Sequence, residues 1–292
     1  MDFANYDIYF PHLGIGIEHL RNSISPFGFR IAFYGILIGI GMILGILVAS
    51  LDYRRRGRNP DEIQDFALYA IIFSVLGARA YYVIFQWDYY SQHPAEILAI
   101  RNGGLAIYGG VLAAILSCAV FTRLRKLSFF DIADSGVLGL ILGQAIGRWG
   151  NFFNAEAFGG YTDSLLAMRI RQSIVNPNML GGDVMQHIRH IDGVDYIQVH
   201  PTFLYESCWN LLVFLLLLFF SRRKKFEGEI FFLYLGLYGL GRFFIEGLRA
   251  DSLLFFGTGI AVSQALSLLL VLLSIVSIGV LWYNKTRSQA GV

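Results

Sequence analysis

A short polar stretch at the end of a long apolar run carries the side chains best suited to chemistry. Arg148, Asn151, Asn154 and Glu156 lie within nine positions of one another. Such groups are costly at membrane depth unless they face protein or water, so they commonly mark a site. An arginine fork donates parallel hydrogen bonds to anionic oxygens, and asparagine amides donate without adding charge. The stretch therefore predicts a site for an anionic group, and in a membrane the available phosphates belong to lipid headgroups.

Three glycines in the same stretch extend this prediction. Gly147, Gly150 and Gly159 would let a backbone or a ligand approach closely, and would allow turns that other residues disfavour. A stretch built for helix packing alone does not need so many polar side chains as well. The combination favours a ligand site over a packing motif.

A second polar set comprises Arg242, Glu246 and Arg249. Spacings of four and seven residues place the three side chains on one helical face. Arg242 could join Arg148 in holding a phosphate, or it could form an ion pair with Glu246 that only fixes packing. These residues alone leave both interpretations open.

Several further residues are candidates for the same site, and each has a plain structural alternative. A tyrosine among them could simply lie at the headgroup level, as interfacial aromatic residues do. A glycine could only allow close packing of helices, and a histidine could only cap a helix. Arg79, within another apolar run, is expected to pair with an acidic group rather than bind a ligand. The candidates are Tyr34, Gly103, Gly104, Tyr108 and His200.

The composition predicts a membrane protein. The chain has 292 residues, of which 55% are hydrophobic and 15% charged, whereas a soluble domain averages about 25% charged. Several apolar runs approach or exceed the roughly 20 residues that cross a bilayer. We therefore expect an all-α polytopic membrane protein with seven transmembrane helices and a small extracytoplasmic head. The predicted spans cover about 27–50, 63–85, 103–122, 132–149, 202–220, 229–245 and 255–283.

The predicted organisation follows from these spans. Residues 1–149 would hold the first four, and residues 201–292 the last three. Residues 150–200 form a polar excursion that is too long for a tight connection, so we expect the head there.

Basic clusters predict the orientation. They follow the first, third, fifth and seventh spans, which end on one side of the membrane. The positive-inside rule places those ends in the cytoplasm, so the N-terminus and the polar stretch lie outside and the C-terminus inside. The clusters are Arg54, Arg55, Arg56 and Arg58; Arg123, Arg125 and Lys126; Arg222, Arg223, Lys224 and Lys225; Lys285 and Arg287.

The polar stretch also resembles a family signature. Residues 147–159 read G-R-W-G-N-F-F-N-A-E-A-F-G and are similar to the signature G-R-x-G-N-F-x-N-x-E-x-x-G of prolipoprotein diacylglyceryl transferases. The supporting matches run from about residue 26 to residue 252. They are Tyr34-Gly35, the glycine-rich segment 103–110, His200-Pro201 with Tyr205-Glu206, and Arg242 with Glu246.

The resemblance implies a reaction and its partners. Members of the family move the sn-1,2-diacylglyceryl group of phosphatidylglycerol to the lipobox cysteine of a bacterial prolipoprotein, forming a thioether and releasing glycerol 1-phosphate. This is the first step of lipoprotein maturation and takes place at the plasma membrane. The resemblance implies no metal, no diffusible cofactor and no nucleic acid partner.

The resemblance also implies roles for residues. Arg148 and Arg242 would hold the phosphate, Asn151 would position the headgroup, and Tyr34 would line the site. Gly159 would permit a course of the backbone that a residue with a side chain would obstruct. The remaining positions are expected to support these, with Glu156 and Glu246 orienting the arginines. Gly103 and Gly104 are expected to contribute to the phosphate site, and the supporting positions are Asn154 and His200.

Tyr108 departs from the family pattern. Many members have histidine at this position, and that histidine has been regarded as the base for the cysteine thiol. A tyrosine, with an unperturbed pKa near 10, is a poor base at neutral pH. Our hypothesis is that no strong base is needed, because the field of the arginines stabilises the thiolate.

Two other functions remain open from the residues alone. A lipid transporter or flippase would favour internal repeats and a site near the middle of the bilayer, and no convincing repeat is present. A membrane protein that binds anionic lipid without turnover is the second alternative.

Overall fold

The computed structural model describes residues 6–100, 103–249 and 260–289, with side chains described as far as residue 287. Most of this part of the chain is helical. The helices are α1 (Phe33–Arg55), α2 (Pro60–Phe85), α3 (Trp87–Tyr90), α4 (Ile107–Arg125), α5 (Phe129–Phe153), α6 (Gly182–Gln186), α7 (Thr202–Ser221), α8 (Glu229–Glu246) and α9 (Val262–Gln289).

The expectation of an all-α chain needs a correction, because the structure contains a small antiparallel sheet. Five strands pair in the order β2-β1-β5-β7-β6, and β3 pairs with β4 in a separate hairpin. Sequence-distant strands meet here, so the pattern of either segment alone does not reveal the sheet. The strands are β1 (Ile8–Phe10), β2 (Ile15–Ile17), β3 (Ser23–Ile24), β4 (Ile31–Ala32), β5 (Met168–Arg171), β6 (Arg189–Ile191) and β7 (Val194–Val199).

Six of the described helices are long and apolar enough to cross a membrane: α1, α2, α4, α5, α7 and α9. The chain is thus a polytopic membrane protein. The predicted sixth span corresponds to α8, whose 18 residues include Glu229, Arg242 and Glu246. These charges set α8 apart from the six. The first residues of the predicted seventh span, 255–259, lie outside the described residues.

The chain divides into two compact units. The first comprises Met1–Gly45 with Leu138–Val292, and the second Ile46–Val137. In the first unit, α1 packs closely on α5, since a Cβ on Gly45 would lie 2.7 Å from the carbonyl oxygen of Gly139. α5 continues to Phe153, past the predicted span end at residue 149, so the first half of the polar stretch is helical.

In the second unit, Arg79 does not have the acidic partner that the sequence predicted. It is buried, and its guanidinium donates to the carbonyl oxygens of Glu96 and Ile97 at 2.7 and 2.8 Å. It also donates to those of Gly103 and Gly104, both at 2.9 Å. Backbone carbonyls therefore satisfy the cation, which ties residues 96, 97, 103 and 104 to α2.

Candidate functional site

The first unit contains a buried cluster of arginines and carboxylates at the meeting point of α5, α7 and α8. Glu206 on α7 lies between two arginines. Its Oε2 atom is 2.6 Å from Nη2 of Arg148 on α5, and its Oε1 atom is 2.8 Å from Nη1 of Arg242 on α8. The Glu206 side chain is only 5% exposed, so both contacts are shielded from bulk water.

Two further side chains complete this arginine cluster. Glu246 Oε2 lies 2.5 Å from Arg242 Nη2. Arg249 Nη1 lies 3.9 Å from Glu206, and Arg249 Nε lies 4.0 Å from Glu246. The predicted spacing of four places Arg242 and Glu246 together on α8, whereas Arg249 lies beyond the end of that helix and reaches the cluster from the segment that follows. Among the described residues, the cluster holds three guanidinium groups and two carboxylates.

Arg148 retains unused hydrogen-bond donors. Its Nη2 contacts Glu206, while Nε and Nη1 have no hydrogen bond or ion pair with any residue that the structure describes. The side chain is 22% exposed, so those donors can be reached from outside the protein. A guanidinium carries five N–H donors in a fixed fork. Arg148 is therefore arranged to receive anionic oxygens from a ligand.

Asn151 lies on α5 within one helical turn of Arg148. It is only 8% exposed, and its side-chain amide makes no hydrogen bond to another described residue. An amide without a protein partner, one helical turn from Arg148, is available to a ligand. A ligand oxygen beside Arg148 would supply the missing acceptor.

The turn after α5 is strained. Ala155 and Ala157 adopt φ angles of 49° and 54°, in the left-handed region that L-residues disfavour. Between them, Glu156 accepts a hydrogen bond at 3.2 Å from Asn154 Nδ2. Strained backbone of this kind clusters at functional sites, and here it fixes the pair of polar side chains.

The observed contacts change the expected carboxylate roles. Glu246 does pair with Arg242, as expected. Glu156 contacts Asn154, and the carboxylate beside Arg148 is Glu206. Sequence reasoning placed Glu206 in a family match but gave it no role. Its position as an acid inside an apolar span was the signal that could have identified it.

Gly159 joins three segments of the chain. Its N–H donates to the carbonyl of His200 at 2.9 Å, and Gly160 N–H donates to that of Leu248 at 2.8 Å. A Cβ on Gly159 would lie 2.6 Å from the Leu248 oxygen and 2.7 Å from His200 Cβ. Any larger residue would push the polar stretch away from the segments that adjoin α7 and α8.

Two glycines of the stretch, Gly150 and Gly147, differ in what lies next to them. A Cβ on Gly150 would lie 2.4 Å from the ring of Tyr34, whereas a Cβ on Gly147 would meet nothing within 4 Å among the described residues. The Tyr34 ring therefore covers α5 one residue before Asn151. The space beside Gly147 remains open to a ligand.

His200 does not cap α7, because Pro201 occupies the N-cap position and no side-chain cap is formed. The His200 Nδ1 atom lies 3.3 Å from the hydroxyl of Tyr205. Burial lowers the pKa of His200 below its ordinary value of 6.5, so the imidazole is neutral at neutral pH. It adds no charge to the neighbouring arginines.

Gly103, Gly104 and Tyr108 belong to the second unit. The glycines have φ angles of 88° and 70°, and their carbonyls accept hydrogen bonds from Arg79. Tyr108 lies in the first turn of α4 and is 43% exposed. The phosphate contacts of Gly103 and Gly104 and the catalytic role of Tyr108 stay predictions. The described part of the chain contains no group of three His, Cys, Asp or Glu side chains that could hold a metal ion.

The chain is thus a polytopic helical membrane protein that holds a buried cluster of arginines and carboxylates in its first unit. A model of the family described as prolipoprotein diacylglyceryl transferase matches residues 22–280. Three relatives bear the name phosphatidylglycerol–prolipoprotein diacylglyceryl transferase. That of Clostridioides difficile (strain 630) is 43% identical over 80% of this chain and 85% of its own length.

The second relative, of Clostridium novyi (strain NT), is 44% identical over 88% of this chain and 93% of its own length. The third, of Listeria monocytogenes, is 40% identical over 94% of both. The chain therefore belongs to the prolipoprotein diacylglyceryl transferase family, whose members are membrane-bound transferases of bacterial lipoprotein biosynthesis.

Proposed function

We propose that this chain transfers the sn-1,2-diacylglyceryl group from phosphatidylglycerol to the lipobox cysteine of a prolipoprotein. The cysteine sulfur forms a bond to the glyceryl carbon as the bond from that carbon to the phosphate oxygen breaks. The electron pair leaves with glycerol 1-phosphate, and the thiol proton is lost. The single observation that carries the proposal is the group of unused donors on Arg148 beside the unpaired amide of Asn151.

The arginine cluster suits the charge that this reaction develops. The phosphodiester of the donor carries one negative charge, which the guanidinium groups of the cluster attract. Negative charge grows on the phosphate as the glyceryl carbon departs. Preorganised donors aimed at such charge are usually the largest single contribution to catalysis, so Arg148 and Arg242 would stabilise the leaving phosphate while Asn151 fixes its orientation.

Deprotonation of the thiol does not require Tyr108 in this proposal. The positive field of the arginines lowers the thiol pKa, as cationic neighbours do elsewhere. Tyr108 then only hydrogen-bonds substrate. A Tyr108→Phe variant is expected to keep most of its transfer activity, measured as lipidated peptide formed per minute. A variant that binds lipid normally but transfers nothing would contradict this part of the mechanism.

The membrane arrangement is part of the proposal. We infer that α8 also crosses the membrane, which brings the number of spans to seven, since 18 residues at about 1.5 Å each approach the roughly 30 Å hydrocarbon core. Its charges stand near its two ends, where they can reach the interfaces. The basic clusters then put the N-terminus outside and the C-terminus in the cytoplasm, with the segment 150–200 as an extracytoplasmic head that helps receive the peptide.

The decisive experiment uses the purified full chain in vesicles of phosphatidylglycerol with a peptide that carries a lipobox cysteine. The expected product is the peptide with a thioether-linked diacylglyceryl group, detected by mass spectrometry, together with glycerol 1-phosphate. A peptide with serine in place of the cysteine is the matched control and should remain unmodified. Absence of the thioether product under conditions where the protein is folded would sink the proposal.

The same vesicles separate the two alternative functions. Transbilayer movement of labelled phosphatidylglycerol without modified peptide would favour a transporter. Retention of lipid with neither movement nor product would favour a lipid-binding protein. Arg148→Ala separates these outcomes further, because it should abolish transfer while the protein stays in the membrane.

A further inference from the structure

A short hairpin immediately before α1 presents an apolar tip. β3 (Ser23–Ile24) pairs with β4 (Ile31–Ala32), and a turn at Pro26–Gly28 connects them. Phe27 is fully exposed, and Phe29 is 76% exposed. Phe27 also holds a left-handed φ of 53°, a conformation that is unfavourable for a bulky residue. An apolar ring held outward at that cost needs a surface to contact.

The charged residue directly after Phe29 is turned away from the tip. Arg30 Nε donates to Ser23 Oγ at 3.1 Å, and Arg30 Nη2 donates to Asn22 Oδ1 at 3.3 Å. Both acceptors lie at the base of the hairpin. The hairpin thus has an apolar tip and a polar base, which is the arrangement of segments that enter the interface of a bilayer.

The length of α1 gives the depth of the hairpin. α1 has 23 residues, or about 34 Å at 1.5 Å per residue, slightly more than the roughly 30 Å hydrocarbon core. Arg54 and Arg55 occupy the last turn and reach the aqueous interface there. Phe33, at the other end of the helix, therefore lies at the opposite boundary of the hydrocarbon. β4 ends one residue earlier, so the hairpin lies among lipid headgroups.

The same end of α1 contacts the polar stretch. The rings of Phe33 and Phe153 are 5.0 Å apart, and the next residue, Tyr34, covers Gly150. A hairpin fixed in the leaflet would therefore also fix the depth of the helix end that carries Asn151.

We propose that the β3–β4 hairpin inserts Phe27 and Phe29 into the leaflet that borders the outer end of α1, as a lipid-contact surface anchoring the polar stretch at headgroup depth. The partner is the phospholipid leaflet itself. Burial of the two rings in the upper acyl region removes their apolar surface from water, and aromatic residues favour this interface. The surface does not depend on the transfer reaction, so failure of one leaves the other standing.

The test places an environment-sensitive fluorophore at the tip of the hairpin in the full chain. Both free cysteines, Cys118 and Cys208, are replaced by serine, and Phe27→Cys is labelled with NBD in phosphatidylglycerol vesicles. Asn178→Cys, an exposed position in the segment between β5 and β6, is the matched control. The expected result is a blue-shifted emission at position 27 that nitroxide lipids quench, most strongly when the nitroxide lies near the headgroup.

Two results would overturn the inference. Emission and quenching at position 27 equal to those at position 178 would show that the tip remains in water. A blue shift without quenching by any nitroxide lipid would show that the tip packs against protein, such as a second copy of the chain. Phe29→Cys repeats the measurement independently, and a weaker blue shift with the same pattern of quenching is expected there because that ring is less exposed.

Discussion

Two buried groups of arginines and carboxylates in this protein have similar composition. They differ in how many of the guanidinium hydrogen-bond donors have a partner within the protein. The arginine cluster of the first unit is described above. The second unit holds what we term the Arg56 network, in which Arg56 donates from Nε to Asp52 Oδ2 at 3.2 Å. Its Nη1 donates to a carboxylate oxygen of Asp131, and its Nη2 donates to the Asp131 carbonyl at 3.0 Å and to Ser135 Oγ.

The difference lies in the donors that remain. Every nitrogen of the Arg56 guanidinium has a partner within the protein, whereas Nε and Nη1 of Arg148 have none among the described residues. A fully paired buried cation holds elements together. A buried cation with unused, reachable donors is suited to bind something else, so the pairing of each arginine, rather than its burial, distinguishes structural from functional roles.

Arg79 supports the same distinction without any carboxylate. Its guanidinium is satisfied by backbone carbonyls, and it lies 5.1 Å from the ring centroid of Tyr90 and 5.9 Å from that of Tyr82. A saturated arginine is therefore structural whether its acceptors are charged or neutral.

The largest expected effect is on stability, in the Arg56 network. Arg56→Gln leaves Asp131 and Asp52 buried with fewer cations, and breaking a buried pair by removing one partner costs about 3–5 kcal/mol. We expect a markedly lower midpoint in thermal unfolding in detergent, with near-normal transfer by the fraction that remains folded. Loss of transfer without loss of stability would break the comparison, because Arg56 would then act in catalysis.

The reverse pattern is expected for Arg148. Removing one preorganised donor to a developing anion typically lowers turnover by about 10²–10³. Arg148→Ala should therefore reduce transfer to the lipobox peptide by at least that factor, with a smaller loss of thermal stability than Arg56→Gln because Glu206 keeps its contact with Arg242. Arg148→Lys keeps the charge but loses the fork, and it should recover only a small part of the activity. Equal destabilisation by Arg148→Ala and Arg56→Gln would contradict the assignment.

A smaller effect is expected at Glu206, the carboxylate shared by Arg148 and Arg242. Glu206→Gln keeps the shape and one acceptor but loses the charge, and hydrogen bonds to charged groups contribute about 1.5–3 kcal/mol. Misaligned arginines should lower kcat/KM by about tenfold to a hundredfold. Asp65→Asn is the control, because the exposed pair of Asp65 with Arg125 should contribute less than about 1 kcal/mol. Unchanged kcat/KM in Glu206→Gln would mean that the arginines hold their positions without it.

The sequence predicted the site better where its residues are close along the chain. The stretch 147–159 carries Arg148 and Asn151 on one helix, so spacing alone placed them together. Arg242 and Glu246 were likewise predicted from a spacing of four. Glu206 escaped because its contacts with Arg148 and Arg242 depend on how three helices pack, and no local pattern encodes that.

The same limit applied to the fold. The apolar runs predicted the long helices because about twenty apolar residues have few alternatives in a membrane. The sheet was missed because β1 pairs with β5, more than 150 residues away, and strands of three or four residues carry little periodicity. Arg79 was assigned an acidic partner because the carbonyls that satisfy it become available only through the turn at Gly103 and Gly104.

The smallest effect on stability is expected from the backbone next to each group of arginines. Gly57, directly after Arg56, has a φ of 77° and no neighbour within 4 Å of a Cβ, whereas Ala157 holds a φ of 54° in the turn beside the arginine cluster. A left-handed conformation costs an L-residue about 1–2 kcal/mol. Ala157 beside the arginine cluster carries this cost, whereas Gly57 beside the Arg56 network does not, because it has no side chain.

The two reciprocal substitutions should therefore change stability in opposite directions. Gly57→Ala is expected to lower the free energy of unfolding by about 1 kcal/mol, and Ala157→Gly to raise it by up to about 1 kcal/mol, less the greater freedom of glycine in the unfolded chain. Thermal unfolding of both variants in the same detergent measures this. Ala157→Gly should also slow transfer, because relief of strain loosens the turn that holds Asn154 and Glu156. If Ala157→Gly gained stability and kept full activity, the strained backbone would not contribute to transfer. The two regions would then differ only in the pairing of their arginines.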